Sequence, residues 1–139
     1  MNFFTYKKAL KTAQKFVRDN QAFRESGGDP YYVSDPELGW TIAPNSQHPS
    51  KPYTSDSNGF RITKAERNQN QQPIVSLWGD SMVHGDGVSD SDSWPWLLAD
   101  QISDCFQVIN GGVSGYGSDQ GLLRLKRLSK SQKPDVAFL

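Results

Sequence analysis

Three short apolar runs, at residues 74–78, 106–110 and 135–139, alternate with two stretches of helical spacing, and this alternation most limits what the chain can fold into. The first run, Ile74-Val75-Ser76-Leu77-Trp78, has strand length and breaks directly onto Gly79-Asp80-Ser81. After it, Trp94, Leu97, Leu98, Gln101 and Ile102 make one stripe, predicting a helix over 93–103 with Asp92 or Ser93 as N-cap and Pro95 in the opening turn. A second helix is predicted over 118–129, with Leu122, Leu125 and Leu128 inward and Arg124, Lys126, Arg127 and Lys130 facing water. A β-α-β-α-β order with crossovers of this length implies an α/β fold: parallel strands joined right-handedly in the order 2-1-3, with the helices on opposite faces. The last run, Val136-Ala137-Phe138-Leu139, stops where a strand should continue into its turn, so the chain reads as cut inside its third strand, leaving an open edge.

Upstream the pattern changes twice. Residues 1–26 read as a basic amphipathic helix, with Phe3, Tyr6, Leu10, Ala13 and Val17 at helical spacing among Lys7, Lys8, Lys11, Lys15 and Arg18. Those charges interrupt every apolar patch, so the segment resembles neither a signal peptide nor a membrane span, and on its face the chain is cytoplasmic. Its stripe is better suited to packing on the domain than to a membrane surface. Gly27-Gly28-Asp29-Pro30 ends the helical pattern. Residues 27–72 then read as an irregular lead-in with short extended pieces, an Asn58-Gly59 turn and a polar, exposed linker from Lys64 to Gln72. Residues 73–139 form the α/β core.

A length of 139 residues suits one compact unit, and 15 basic against 15 acidic residues give no reason to expect a nucleic-acid partner. Cys105 cannot pair internally and reads as a small buried hydrophobe. With His48 and His84 as the two histidines there is no zinc spacing. Asp86, Asp90 and Asp92 miss the calcium-loop pattern, and Asp92 is explained as a helix cap. No metal or cofactor is expected.

A serine on a strand-to-helix turn can be a nucleophile, because the turn lifts its hydroxyl above the sheet while backbone N–H groups face a developing oxyanion. The spacing around Ser81 fits equally a serine that merely caps a turn. Other motifs fit less well. Val83 stands where G-x-S-x-G requires glycine, and the run from Gly79 to Gly87 lacks the lysine of a phosphate-binding loop. Gly115, Gly117 and Gly121 approach a nucleotide-binding fingerprint, but the third glycine is one residue late and no acidic residue ends the next strand. Asp80 is expected to order the turn through backbone hydrogen bonds, His84 to take a surface or loop-packing role, and His48 to be a solvated loop residue. Trp78, Trp94, Trp96 and Phe60 suit packing; Tyr116, following Gly115, is the candidate for a substrate pocket.

Taken together, Gly79-Asp80-Ser81, then Gly85-Asp86-Gly87-Val88, then the run Val108 to Gly117, and finally Lys133-Pro134-Asp135-Val136-Ala137-Phe138-Leu139 resemble the first half of an SGNH (GDSL-type) hydrolase. Asp35-Pro36-Glu37-Leu38-Gly39-Trp40, Pro44-Asn45 and Asn58-Gly59-Phe60-Arg61 resemble the lead-in of many bacterial members, so the resemblance spans residues 31–139. It implies a flavodoxin-like three-layer α/β/α sheet, incomplete here. It also implies a serine esterase or acyl-transfer enzyme working through an acyl-serine on a small-molecule, lipid or carbohydrate ester. The family's nucleophile, whose N–H is also an oxyanion donor, falls on Ser81, and a second oxyanion donor falls on Gly115. A third donor, the asparagine of a Gly-x-Asn-Asp segment, and the base, the histidine of an Asp-x-x-His segment, have no counterpart in these residues. The isolated 139-residue chain is therefore expected to turn over little or no ester. A noncatalytic binding module and a nucleotide-binding domain built on the 115–121 loop are the alternatives.

Overall fold

The computed structural model describes residues 30–64, 72–129 and 133–139. The basic helix expected over 1–26, and most of the polar run after Lys64, lie outside the described residues.

Strand β3 (Ile74–Leu77) is central to a parallel sheet, with β4 (Gln107–Asn110) on one side and β5 (Val136–Phe138) on the other. Every residue of β3 is buried, as a strand covered on both faces requires. Side chains alternate across a strand. Ile74 and Ile109 therefore join Phe60 and Trp78 on one face, under Leu125 and Leu128 of helix α3 (Ser118–Leu128). Val75, Leu77 and Val108 face the other way, against Ala99, Leu98 and Ile102 of helix α2 (Trp94–Ile102). Between β3 and α2 run the single turn α1 (Ser81–His84) and a 3₁₀ turn at Asp90–Asp92. On β5, Val136 and Phe138 are exposed.

Both helices differ in detail from the expected stripes. Ser93 caps α2, its hydroxyl accepting from the Trp96 N–H. Trp94, Leu97 and Gln101 nevertheless face outward, because α2 approaches the sheet through Pro95, Leu98, the small Ala99 and Ile102. On α3 the inward row is Gly121, Arg124, Leu125 and Leu128, an i, i+3, i+4, i+7 series, and Leu122 is exposed. Arg124 is only 5% exposed rather than facing water. Its guanidinium finds main-chain acceptors inside: it donates to the Gly111 carbonyl (2.8 Å) and the Gly59 carbonyl (2.7 Å) and lies over the Phe60 ring. Burial lowers its pKa to about 10, which leaves it charged at neutral pH. Cys105 is exposed, not buried: it sits in the turn that follows α2, its N–H donating to the Ile102 carbonyl.

The lead-in is more ordered than its composition suggests. Strands β1 (Tyr32–Asp35) and β2 (Gly39–Ile42) pair antiparallel, and the Asp35 carboxylate accepts from the Glu37 and Leu38 N–H groups in the connecting turn. Arg61 bridges to Asn110 at the end of β4. Tyr31, Leu38, Ile42 and Tyr53 are buried with Val113 and Tyr116 from the loop that follows β4. The lead-in thus packs on the sheet end where β3 and β4 finish, which is the end that carries Ser81.

Candidate active site

At the end of β3 the chain turns through buried Trp78 and half-buried Gly79, and the Asp80 carboxylate caps α1 by accepting from the Met82 N–H at 2.9 Å. Ser81 opens this turn, half-buried, and its hydroxyl makes no hydrogen bond to any described residue. The turn closes at Gly85, in the left-handed region at φ +83°, with its N–H donating to the Ser81 carbonyl.

The glycine-rich loop after β4 lies directly against this turn. The Gly111 N–H donates to the Leu77 carbonyl (2.7 Å) and the Val113 N–H to the Gly79 carbonyl (3.0 Å). Buried Asn110 joins the two loops: its Oδ1 accepts from the Gly112 N–H and its Nδ2 donates to the His84 carbonyl. Gly115 is exposed and sits at φ +81°, where a side chain would be strained. Trp40 braces that position, donating from its indole to the Ser114 carbonyl at 3.1 Å. The structure therefore brings the loops of Ser81 and Gly115 together at one sheet end. Tyr116 is buried in the lead-in cluster, with its hydroxyl donating to the Trp40 carbonyl at 2.6 Å.

His84 is fully buried and takes a packing role, not a surface one. Its Nδ1 lies 2.5 Å from Asp86 Oδ1 and its Nε2 lies 3.0 Å from the Tyr31 hydroxyl. Burial lowers its pKa despite the neighbouring carboxylate. Burial opposes the charge of Asp86, but hydrogen bonds from His84 and Ser114 outweigh it and hold that carboxyl below its usual value. Asp86 is therefore ionised at neutral pH and accepts only, which puts the imidazole proton on Nδ1 and leaves Nε2 to accept from Tyr31. His48 is partly buried, with its ring against Tyr31 and Tyr53.

Arg61 organises the loop after α1. It donates to the Asp90 carboxylate (2.8 Å) and to the carbonyls of His84, Gly85 and Val88, with its guanidinium over the Tyr53 ring. Asp90 also accepts from the Thr54 hydroxyl, and Asp92 from the Ser89 hydroxyl. Among the described residues no group of His, Cys, Asp and Glu is arranged to hold a metal ion. Of the nucleotide-like glycines, Gly117 gives its N–H to the Gln120 side chain, and Gly121 packs beside Leu139 and the Gly79 backbone. Helix capping engages the first and close packing the second. Sequence reasoning missed Arg61, Arg124, Asn110, Asp86 and Ser114 as parts of the site. Asp86 and Ser114 lie in loops, where no periodicity marks them, and Arg61, Arg124 and Asn110 meet main-chain partners that only the folded chain brings near.

No family model matches the chain. Over 58 residues it is 43% identical to the thioesterase 1/protease 1/lysophospholipase L1 of Escherichia coli (strain K12), a match covering 42% of this chain and 28% of that protein. Over 64 residues it is 38% identical to an arylesterase of Vibrio mimicus, covering 44% of this chain and 32% of the relative. The matches thus span about a third or less of the relatives' own length. Among solved structures it is similar to AlinE4, described as an SGNH-hydrolase family esterase, at 32% identity and a TM-score of 0.43, over 49% of this chain and 39% of that one. TesA gives the same identity and TM-score over 48% and 38%. The sequence relatives, with the motif blocks around Ser81 and Gly115, support an SGNH-type hydrolase segment in this chain. Among the described residues no helix is long and apolar enough to cross a membrane.

Proposed function

We propose that this chain is the nucleophile-bearing portion of a serine esterase that acts on ester bonds through an acyl-serine intermediate, on a flavodoxin-like α/β/α core formed by residues 73–139. The observation that carries the reading is the position of Ser81: half-buried, its hydroxyl unbonded to any described residue, at the end of the central strand and beside the glycine loop. In this reading the Ser81 hydroxyl attacks the ester carbonyl, and the N–H groups of Ser81 and Gly115 receive the negative charge that develops on oxygen. The relatives named as a lysophospholipase and thioesterase and as an arylesterase support an ester substrate of small-molecule or lipid type. Tyr116, buried and bonded to Trp40, holds the Gly115 loop in place rather than meeting the substrate.

The reaction also needs a base for the hydroxyl proton. His84 does not serve, since it is fully buried and both ring nitrogens are engaged, by Asp86 and by Tyr31. The 139 residues contain no Asp-x-x-His or Gly-x-Asn-Asp segment, so on its own this chain hydrolyses ester slowly or not at all. A fluorophosphonate probe with peptide mass mapping tests the assignment. Ser81 is the expected site of phosphonylation, in this chain or in a longer form that supplies a base. Ester turnover or labelling that survives Ser81→Ala overturns it, and protection by a nucleotide without labelling favours the nucleotide-binding alternative.

A further inference from the structure

Four hydroxyl and imidazole groups from separate parts of the chain converge, directly or through one intermediary, on a single carboxylate. The Ser114 hydroxyl lies 2.8 and 2.7 Å from the two oxygens of Asp86, and the Tyr32 hydroxyl donates to Ser114 Oγ at 3.0 Å. From the other side His84 Nδ1 meets Asp86 at 2.5 Å, and the Tyr31 hydroxyl meets His84 Nε2 at 3.0 Å. Tyr31 and Tyr32 belong to the lead-in, His84 closes the turn that Ser81 opens, and Ser114 immediately precedes Gly115. The Asp86 carboxylate, which only accepts, satisfies both the Nδ1–H and the Ser114 hydroxyl.

We propose that Asp86 is a positioning residue: by taking His84 and Ser114 at once, its carboxylate latches the Gly115 loop to the Ser81 turn and fixes the two backbone N–H groups relative to each other. The roles given to Ser81 and Gly115 rest on the esterase reading; the latch itself rests on the geometry. Hydrogen bonds to a charged acceptor are roughly twice as strong as neutral ones, so a few such contacts suffice to hold an exposed loop. The lead-in is then part of the site, because its tyrosines complete the network from both ends.

The latch is read by amide hydrogen exchange on the ¹⁵N-labelled 139-residue chain. The Val113 amide, bonded to the Gly79 carbonyl, and the Tyr116 amide, bonded to the Val113 carbonyl, bracket Ser114 and Gly115. In Asp86→Asn these two amides are expected to exchange about tenfold faster or more, while amides of β3 and β4 keep their protection. The His84 ring ¹⁵N shifts, which report the Nδ1–H tautomer in the parent, are expected to move toward a tautomer mixture. Ser114→Ala cuts only the loop side, leaves His84 on Asp86, and is expected to reproduce the local loosening; Ser114→Thr restores it. Unchanged exchange at Val113 and Tyr116, or equal acceleration at every amide, overturns the latch. Phosphonylation of the same proteins separates the two ideas. A loop that loosens in Asp86→Asn, with Ser81 left unphosphonylated both in this chain and in a longer form that supplies a base, removes the esterase reading and keeps the latch, whereas phosphonylation of Ser81 with an unchanged loop in Asp86→Asn does the reverse.

Discussion

A Cβ added to Gly112 would stand 2.3 Å from the backbone nitrogen of His84 and 2.7 Å from the carbonyl carbon of Val83. The glycine loop and the Ser81 turn therefore touch backbone to backbone, with no flexible side chain between them to give way. Gly112→Ala must push the loops apart, breaking the bonds that Asn110 makes to both. The expected loss of stability is about 1–3 kcal/mol, the usual range for overpacking a close-packed site. Urea unfolding measures it, and a variant as stable as the parent would contradict the contact.

Arg61 carries the next prediction. Its side chain is fully buried, and it neutralises Asp90 while serving three carbonyls of the 84–88 segment. Arg61→Met fills similar space but leaves a largely buried carboxylate and several carbonyls without their donor. Loss of one partner of a buried pair is expected to destabilise by about 3–5 kcal/mol. Arg61→Lys should recover little of it, because an ammonium cannot present the same fork of donors. Denaturation midpoints of both variants decide this; a Lys variant close to the parent would show that charge alone suffices.

The core elements were legible because their causes are local. Residues 74–78 and 106–110 are short, mostly apolar runs that lead into Gly79 and Gly111, and the crossovers between the strands allow few arrangements. That the loops carrying Ser81 and Gly115 share one sheet end was legible for the same reason, as each loop follows a strand that the pattern reveals. Arg124 was misplaced because a cation was read as solvent-facing, although its position fits the inward row of Gly121, Leu125 and Leu128. The partners that satisfy it are the carbonyls of Gly111 and Gly59, which only the folded chain brings to one place. The lead-in was read as irregular because its strands are four residues long and its apolar residues are spaced by turns. Its contribution comes from single aromatic anchors, chiefly Tyr31 and Tyr53, packing on a distant loop.

Cys105 gives a direct check on the turn after α2. It is exposed, so the native protein should react fully with a thiol-directed reagent such as DTNB, at a rate within about tenfold of the unfolded chain. Strong protection relative to the unfolded chain would mean that this turn packs inward.

The buried imidazole predicts how stability follows pH. Burial pushes the pKa of His84 below its ordinary 6.5, so between the lowered value and 6.5 the unfolded chain binds a proton that the folded chain does not. Stability therefore rises with pH in that window and falls as the pH drops from about 6.5. The groups around the ring agree with this sign, since Arg61 disfavours a second cation while Asp86 offsets only part of the burial. The carboxylates act later: hydrogen bonds from Arg127 hold Asp35 at about 2, and Asp86 also lies below its ordinary 3.8, so their contributions disappear only as the pH falls through and below that value. The expectation is acid destabilisation in two stages, the first set by His84. Urea midpoints from about pH 8 to pH 5 should decline in the parent. His84→Gln should be less stable at the upper end, where the imidazole packing is lost, and flatter across the window. A parent that is flat between these limits, or a Gln variant with the parent's slope, would show that His84 is not held neutral by the fold.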